Sequence, residues 1–440
     1  MPWAGPVTTT ATSTAPAPLL TRRTGVPVSA TLAANEILDT RRLRGLPVLP
    51  LAFGEAGLPV HPRLREELAA ASGQGGYGPV AGIPALREAV AGYWTRRGLP
   101  TGPGAVVAGP GSKPLLFAVL MAIGTDVAVP RPSWVSYAAQ ARLIGVTPHF
   151  VPAVPGEGGI CDPAALEAVV VAAAAAGRPI RSVVTTIPDN PTGRLASPAA
   201  VEALAAVAAR HDLIIISDEI YRDLVHDPGA AFLSPAAVAP DRTVITTALS
   251  KSLALGGWRI GAARLPEGPL GQAITERLRG VGSEIWSAPA VPVQQAAAVG
   301  FREPPEIAKR IAQSRSLHAT VVRAVAGLCR AAGLSVPAPQ AAFYLYPDFS
   351  AWRQPLARRG IVTGADLASC LVERYGAGTL PASAFGERPE DLRLRLATGL
   401  LYGDTDEQRE AALAAPDPLA LPWIAAALAG IEDMLADLSP

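Results

Sequence analysis

The chain has 440 residues, with 38 lysines and arginines against 37 aspartates and glutamates, so its formal net charge is +1. This balance supplies no extended basic surface for nucleic acid or for an anionic membrane. The sequence contains no unbroken run of about 18 apolar residues, which predicts that the chain does not span a membrane.

The cysteines and histidines argue against a metal or disulfide framework. Cys161, Cys329 and Cys370 are scattered and odd in number, which favours reduced thiols in a cytoplasmic protein. The histidines lack HExxH-type spacing, so no metal site is predicted. Residues 1–20 are rich in Thr, Ala and Pro and are expected to form a disordered N-terminal tail.

The first part of the chain alternates between helical and strand patterns. Apolar residues recur at helical spacing from Pro84 to Arg97, and Gly98 follows as a stop signal. Further along, a helix is predicted at Ala199–His211, and strands are predicted at Val127–Val129, Val183–Ile187, Leu213–Ser217 and Thr243–Thr247. This alternation predicts a mostly parallel sheet with helices on both faces.

The pattern changes near residue 299. A long helical segment, Pro305–Ala332, precedes strand candidates at Ala342–Tyr346 and Leu392–Ala397. We therefore expect a large domain over residues 51–298 and a small α+β domain over residues 299–440. Residues 21–50 are expected to pack on the small domain.

Lys251 carries the strongest chemical signal. It follows the Thr243–Thr247 strand among small residues, and the only other lysines are Lys113 and Lys309. Such a lysine is placed to form a Schiff base with a carbonyl cofactor, and Arg259 can offer a planar fork to a phosphate. Taken alone, a surface lysine and a salt-bridged arginine explain the same residues equally well.

Asp218 and Tyr221 follow the Leu213–Ser217 strand. A carboxylate at the inner end of an apolar strand needs a cation, and a protonated pyridine nitrogen is such a partner. Tyr221 is then placed to hydrogen-bond the phenolate oxygen of the ring. Without the other segments, a helix-capping Asp and a packed Tyr are the better interpretation.

Three further segments are weak signals by themselves. Asn190 begins a Pro-Thr-Gly turn of an ordinary kind. The glycine-containing segment 109–113 precedes the apolar helix candidate Leu115–Ile123, whose N-terminus suits a phosphate. Trp134 follows a strand, where an indole either stacks on a cofactor ring or packs in the core.

In this order, the segments resemble fold-type-I pyridoxal-5′-phosphate (PLP) enzymes, in particular the class I aspartate-aminotransferase-like family. The resemblance covers the chain from about Leu49 to the C-terminus and rests on Tyr77 with residues 82–87, residues 111–113, Trp134, residues 190–193, residues 218–221, and residues 250–251 with 257–261. It implies a three-layer α/β/α PLP-transferase large domain with a mostly parallel sheet, and a smaller α+β domain.

The resemblance also implies a role for each motif residue. Lys251 is the Schiff-base lysine and proton carrier, and Asp218 pairs with the pyridine nitrogen. The other cofactor contacts that it implies are Tyr221 and Asn190 at the phenolate oxygen, Trp134 on the ring, and Gly111, Ser112, Lys113, Ser250 and Arg259 around the phosphate, with Lys113 acting mainly through its backbone.

For the substrate, the resemblance implies contacts from Gly54, Asn190 and Arg393. Arg393 is expected to bind the α-carboxylate, with Arg395, two residues on, left open as the alternative. Tyr77 is expected to reach the cofactor phosphate of a neighbouring subunit, which implies a homodimer with shared sites.

The sequence departs from the family pattern at two places. Ala248 stands where many relatives carry a phosphate-binding serine, for which Thr246 or Thr247 could compensate. No distal arginine for a dicarboxylate side chain is evident near Glu284–Ser287. Trp286 is expected either to narrow the pocket for an apolar or aromatic substrate or to pack in the core or at an interface.

These residues predict an aminotransferase that moves an amino group between an amino acid and a 2-oxo acid by way of pyridoxamine phosphate, with ping-pong kinetics. Another PLP-dependent reaction on an amino acid, by a lyase, an oxidase-like enzyme or a cyclase, is the alternative, because fold does not fix function. A PLP-binding transcription regulator is disfavoured, because no DNA-binding domain or basic patch is evident.

Overall fold

The computed structural model describes residues 26–440, so the tail predicted at residues 1–20 lies outside the described part. The helices are α1 Ala30–Leu43, α2 Pro62–Ala71, α3 Pro84–Thr95, α4 Ser112–Ile123, α5 Ser136–Leu143, α6 Pro163–Ala175, α7 Pro198–Arg210, α8 Pro235–Val238, α9 Leu249–Ser252, α10 Pro269–Ile285, α11 Val291–Arg302, α12 Pro305–Ala331, α13 Arg353–Arg358, α14 Gly364–Tyr375, α15 Asp406–Ala414 and α16 Pro422–Leu438. The strands are β1 Leu49–Pro50, β2 Val106–Gly109, β3 Asp126–Arg131, β4 Pro148–Pro152, β5 Ile180–Thr186, β6 Ile214–Asp218, β7 Thr243–Ala248, β8 Gly261–Arg264, β9 Tyr344–Leu345, β10 Ala377–Gly378, β11 Leu380–Pro381 and β12 Leu394–Ala397.

A seven-stranded sheet in the order β2-β8-β7-β6-β5-β3-β4 forms the centre of the large domain. β8 runs antiparallel to both of its neighbours, and the other neighbouring strands pair in parallel. β2 and β7 are buried along their whole lengths. Burial on both faces is what a sheet covered by two helix layers requires.

Each face of this sheet carries its own apolar cluster. On one face, Val119 of α4 and Leu278 of α10 pack with sheet residues such as Val244. On the other face, Leu166 of α6 and Leu204 of α7 pack together with strand residues. The three-layer α/β/α architecture expected from the sequence is therefore confirmed.

The predicted strands are present, with their ends shifted by a few residues. In the seven-stranded sheet, β2, β4 and β8 were not predicted from the sequence, and neither were the two-residue strands β1, β10 and β11 elsewhere. β2 and β8 are only four residues each, and both contain Ala and Gly, which are depleted in strands. β4 begins and ends with proline and lies at the edge of the sheet, where proline is tolerated.

The C-terminal part contains a separate small antiparallel sheet in the order β11-β12-β9. The long helix α12 joins the two parts of the chain. Ile307 and Ile311, near its start, pack in a cluster with α3, whereas Val321 and Val325 pack in a second cluster around β12. The division at residues 298 and 299 remains our prediction.

Helix α1 contacts the small C-terminal sheet region. Leu38 is fully buried in a cluster with Leu380 and Ala382. A Cβ atom on Gly378 would lie 2.6 Å from the Leu38 Cδ1 atom, so this contact requires a glycine on β10. Within residues 26–440, no helix combines the length and apolarity needed to cross a membrane.

The carboxyl ends of the parallel strands meet at one edge of the sheet. Short segments follow these ends, and they carry Gly111 after β2, Trp134 after β3, Asn190 after β5, Asp218 on β6 and Lys251 after β7. In open α/β sheets, ligands bind beyond this edge. The topology therefore brings together residues that are far apart in the sequence.

Candidate active site

A cavity of about 550 Å³ opens at this edge of the sheet. Most of the residues predicted to form the site line it, namely Gly54, Ser112, Lys113, Trp134, Asn190, Asp218, Tyr221, Ser250, Lys251 and Arg259. A cavity of this size, with several convergent polar groups, is typical of a small-molecule site.

Lys251 lies in the short helix α9, directly after β7, and its side chain is half-buried at the cavity wall. Its Nζ atom donates a hydrogen bond to the Gly54 carbonyl oxygen. Burial lowers the pKa of Lys251 to about 8; the Glu55 carboxylate opposes this shift, and the positive charge of Arg395 adds to it. A fraction of this amine is therefore neutral and nucleophilic near neutral pH.

Asp218 is a buried carboxylate at the end of β6. Tyr137 donates a hydrogen bond of 2.9 Å to it, and Thr246 donates one of 3.4 Å. None of the described lysines, arginines or histidines forms an ion pair with it, and burial raises its pKa to about 6. A buried carboxylate without a cation is costly, so this end of the cavity is suited to a cationic group of a ligand.

The N-terminus of α4 forms an electropositive part of the cavity wall. Gly111, the N-cap residue, has φ of +98°, and a Cβ atom there would lie 2.5 Å from Nη2 of Arg259. The guanidinium group therefore packs directly on the glycine backbone. Burial and the charge of Arg259 lower the pKa of Lys113. A helix N-terminus with a guanidinium group packed on its N-cap residue is suited to an anion.

Arg395 lines the cavity on the side of the small sheet. It is buried, and it donates a hydrogen bond of 3.3 Å to Asn190 Oδ1 and another to the Ala52 carbonyl oxygen. Its Nε atom has no protein partner, and no described carboxylate pairs with it. Burial lowers its pKa. Its unpaired positive charge is available to an anionic ligand.

The choice of Arg393 as the carboxylate-binding arginine is corrected by these contacts. Arg393 lies just before β12, outside the cavity lining, and pairs with Asp348 at 3.0 Å and with Glu387 at 2.5 Å. Two local carboxylates therefore hold its guanidinium group. Arg395, the alternative left open by the sequence, is the arginine that faces the cavity.

Two predicted aromatic residues have different surroundings. Trp134 lines the cavity, its ring meets Tyr137 edge-on at 5.3 Å between centroids, and Lys113 Nζ lies 5.1 Å from its centroid. Tyr77 is 95% exposed and lies outside this cavity. Its contact with a neighbouring subunit remains a prediction.

Trp286 does not narrow the pocket, contrary to one of the two expectations. It is absent from the cavity lining and packs in the cluster that includes Val281 and Leu278. A Cβ atom on Gly282 would lie 3.1 Å from its ring. These contacts within the chain agree with the packing interpretation of Trp286.

The structure adds residues that the sequence did not single out. Tyr137 lies one helical turn after Trp134, and a hydrogen bond of 2.7 Å links its hydroxyl to Thr186. Tyr344 on β9 reaches Tyr221 across the cavity wall. The spacing from Trp134 could have indicated Tyr137, but the position of Tyr344 depends on contacts between distant segments.

The start of helix α1 also contributes to the cavity. Ser29, Thr31 and Leu32 line it together with residues of the sheet edge. These residues belong to the segment 21–50, which was expected to pack on the small domain. No local motif marks them, because their placement depends on the packing of Leu38 on the C-terminal part.

The known proteins that this chain resembles are aminotransferases. Residues 46–413 match the family model described as "Aminotransferase class I and II". An aspartate aminotransferase from Geobacillus stearothermophilus is 30% identical over 390 residues, which cover 87% of this chain and 95% of that protein. A probable aspartate/prephenate aminotransferase from Thermus aquaticus is 33% identical over 329 residues, covering 73% and 82% of the two chains.

Among solved structures, the aspartate aminotransferase from Thermus thermophilus with maleate superimposes with a TM-score of 0.75 and 29% identity. The match covers 88% of this chain and 96% of that one. The similarity therefore extends over both parts of the fold.

Proposed function

This chain belongs to the class I and II aminotransferase family and is a transaminase, and we propose that it uses PLP bound at Lys251 to transfer the amino group of a dicarboxylic amino acid such as aspartate to a 2-oxo acid. The observation that carries the proposal is the cavity, where Lys251 lies with the unpaired Asp218 carboxylate, the unpaired Arg395 and the cationic end at α4. The aminotransferase names of the relatives favour transamination over a lyase, oxidase-like, cyclase or regulator function.

The residues present fit PLP at each of its polar groups. The buried Asp218 carboxylate suits the pyridine nitrogen, since it lacks a cation of its own. Gly111, Ser112, Ser250 and Arg259 would hold the phosphate, because the glycine leaves room for the guanidinium group at the start of α4. When bound, PLP supplies an electron sink for the electrons of the substrate α-carbon.

Other side chains that line the cavity would orient the ring. Tyr221 and Asn190 present a hydroxyl and an amide that suit the ring phenolate oxygen, and Trp134 suits one ring face. Asp218, once paired with the pyridine nitrogen, would keep that nitrogen protonated. Tyr137 and Thr246 restrict the orientation of the carboxylate through hydrogen bonds.

Lys251 and Arg395 would act on the substrate. The guanidinium group of Arg395 can offer two parallel hydrogen bonds to an α-carboxylate, and Gly54 lines the same cavity. Lys251 Nζ would take the proton from the α-carbon and return it. Its lowered pKa supports this role, because the base must be neutral to accept a proton.

The substrate side chain would meet Lys113. This lysine lines the cavity, and none of the described carboxylates pairs with it. Ser29 and Thr31 supply hydroxyls at the same cavity. An unpaired cation and hydroxyls suit a second carboxylate. Lys113 would therefore take the place of the distal arginine that is not evident near Glu284–Ser287. The relatives named for aspartate support this assignment.

The proposal is tested with the purified protein, PLP and a panel of amino acids with 2-oxo acid acceptors. We expect ping-pong kinetics and a preference for aspartate over alanine and phenylalanine in kcat/KM. Product formation from the amino acid without any 2-oxo acid acceptor, at full rate and over many turnovers, would contradict transamination.

We also propose that the protein is a cytoplasmic homodimer in which Tyr77 reaches the cofactor phosphate of the partner. The 95% exposure of Tyr77 leaves it free for such a contact. We expect Lys251→Ala to be inactive and Tyr77→Phe to be weakened by the loss of one hydrogen bond. Mixed dimers of the two chains contain one intact site, so the mixture should be more active than the average of its two parents. A mixture that only matches this average would contradict a shared site.

A further inference from the structure

Tyr344 is a buried residue that contacts three parts of the site. It lies on β9 and is 1% exposed. Its hydroxyl lies 2.8 Å from the Tyr221 hydroxyl, and its ring centroid lies 5.0 Å from the guanidinium carbon of Arg395. A Cβ atom on Gly54 would collide with the Tyr344 hydroxyl. The Tyr344 side chain therefore contacts both Tyr221, which would bind the cofactor, and Arg395, which would bind the substrate carboxylate.

We infer that Tyr344 is a positioning residue with two separable functions: its hydroxyl directs the Tyr221 proton towards the cofactor, and its ring holds Arg395 in place for the substrate carboxylate. This inference rests on the proposed function, because it concerns the same cofactor and substrate groups. The two functions belong to different atoms of the side chain, so different substitutions can separate them.

The hydroxyl function follows from the hydrogen-bond partners. Tyr221 is the only described partner of the Tyr344 hydroxyl. If Tyr344 donates to the Tyr221 oxygen, the Tyr221 proton is free to point into the cavity, where Asn190 also lies. A hydroxyl that accepts one hydrogen bond becomes a stronger donor, because bonds in a chain polarise one another. Tyr344 would thus strengthen the bond from Tyr221 to the phenolate oxygen of the cofactor.

The ring function follows from the surroundings of Arg395. Its guanidinium group has no carboxylate partner among residues 26–440, and its protein acceptors are Asn190 Oδ1 and the Ala52 carbonyl oxygen. The rings of Tyr344 and Phe385 lie 5.0 Å and 5.5 Å from its guanidinium carbon. Aromatic faces attract a guanidinium group without neutralising it. Arg395 is therefore held in place while its charge stays available for a substrate.

The test compares Tyr344→Phe, Tyr344→Met and a control, Tyr346→Phe. Tyr344→Phe keeps the ring and removes the hydroxyl, whereas Tyr344→Met removes both. Tyr346 lies two residues further along, and its hydroxyl donates to Glu387 at 2.6 Å, outside the cavity. The control therefore measures the effect of losing a buried tyrosine hydroxyl from the same segment.

The first readout is the pH titration of the Schiff-base absorbance of the resting PLP-loaded protein, without substrate. A donor at the phenolate oxygen stabilises the deprotonated Schiff base, so Tyr344→Phe should raise this pKa by roughly half a unit. Tyr346→Phe should leave it unchanged. An unchanged or lowered Schiff-base pKa in Tyr344→Phe overturns the hydroxyl function. This test needs only Tyr344→Phe, so it can be done even if Tyr344→Met does not fold.

The second readout is the steady-state KM for the amino acid. Tyr344→Met should raise KM about five- to tenfold, as expected for a lost aromatic contact with a cation. Tyr344→Phe should stay within about twofold of the parent, because its ring remains. Equal KM values in the two variants overturn the ring function. If the parent protein itself neither binds PLP nor transaminates, the proposed function fails instead.

Discussion

The guanidinium group of Arg395 donates a 3.3 Å hydrogen bond to the side-chain oxygen of Asn190, although the two residues are 205 positions apart. The bond connects β12 of the small sheet to the segment that follows β5 of the large one. The residue that would bind the substrate carboxylate is thereby connected to a residue that would contact the cofactor. Binding of the cofactor and binding of the substrate are therefore both expected to depend on Arg395 and Asn190.

Arg395→Lys should weaken amino-acid binding whatever the substrate side chain. Lysine offers a point charge in place of the planar fork, and the loss of a charged hydrogen bond predicts a rise in Kd of about ten- to a hundredfold. Arg393→Lys is the matched control, because Arg393 pairs with Asp348 and Glu387 outside the cavity. Titration of each PLP-loaded variant with aspartate measures the effect. A larger loss in Arg393→Lys would contradict the assignment.

The sequence alone left the choice between these two arginines open. Both arginines alternate with leucines in the segment Leu392–Ala397, so they are expected on the same face of the strand and the pattern cannot show which one faces the cavity. The distinction depends on Asp348 and Glu387, whose positions come from other turns of the small domain. Contacts between distant segments therefore determine which arginine faces the cavity.

Asp218→Asn should stop turnover while stabilising the protein without its cofactor. Burial raises the pKa of Asp218 to about 6 from an ordinary value of 3.8. The native state therefore binds the proton more tightly than the unfolded state, and stability is lost as the pH rises from about 4 to about 6. The substitution should raise the melting temperature at pH 7.5 and leave it nearly unchanged at pH 4. A lower melting temperature at pH 7.5 would contradict this interpretation of the site.

Lys113→Gln should reduce kcat/KM for aspartate by about tenfold and leave alanine nearly unaffected, since alanine has no second carboxylate. Lys309→Gln is the control, because Lys309 does not line the cavity. Parallel kinetics with both amino acids give the comparison. Equal losses for both would mean that Lys113 contributes to the cofactor phosphate instead.

Asp189→Asn should stabilise the protein at alkaline pH. Asp189 is buried, and its Oδ2 atom accepts a hydrogen bond of 3.1 Å from the Thr192 backbone N–H, while Oδ1 has no protein partner. Burial raises its pKa to about 7 from 3.8. Its ionisation therefore lowers stability between about pH 4 and pH 7, and asparagine can accept the same bond without charge. Denaturant titrations at pH 5 and pH 8.5 should show the larger gain at pH 8.5; an equal gain at both would contradict a role for charge.

The sheet and most of the cavity were predictable because the motifs follow strand ends. Val183–Ile187 and Thr243–Thr247 are β-branched runs, and parallel pairing brings the residues after them to one edge. Tyr344 and the start of α1 were not predictable. Their positions depend on packing between the two parts of the chain, which leaves no local pattern in the sequence.

The central claim is that Lys251 binds PLP, and borohydride reduction of the PLP-loaded protein tests it most directly. Reduction fixes a Schiff base permanently to its lysine, and the chain has only Lys113, Lys251 and Lys309. Peptide mapping by mass spectrometry should find the label on Lys251, with almost none on the other two. A label on Lys113 or Lys309, or no label after incubation with PLP, would contradict the account.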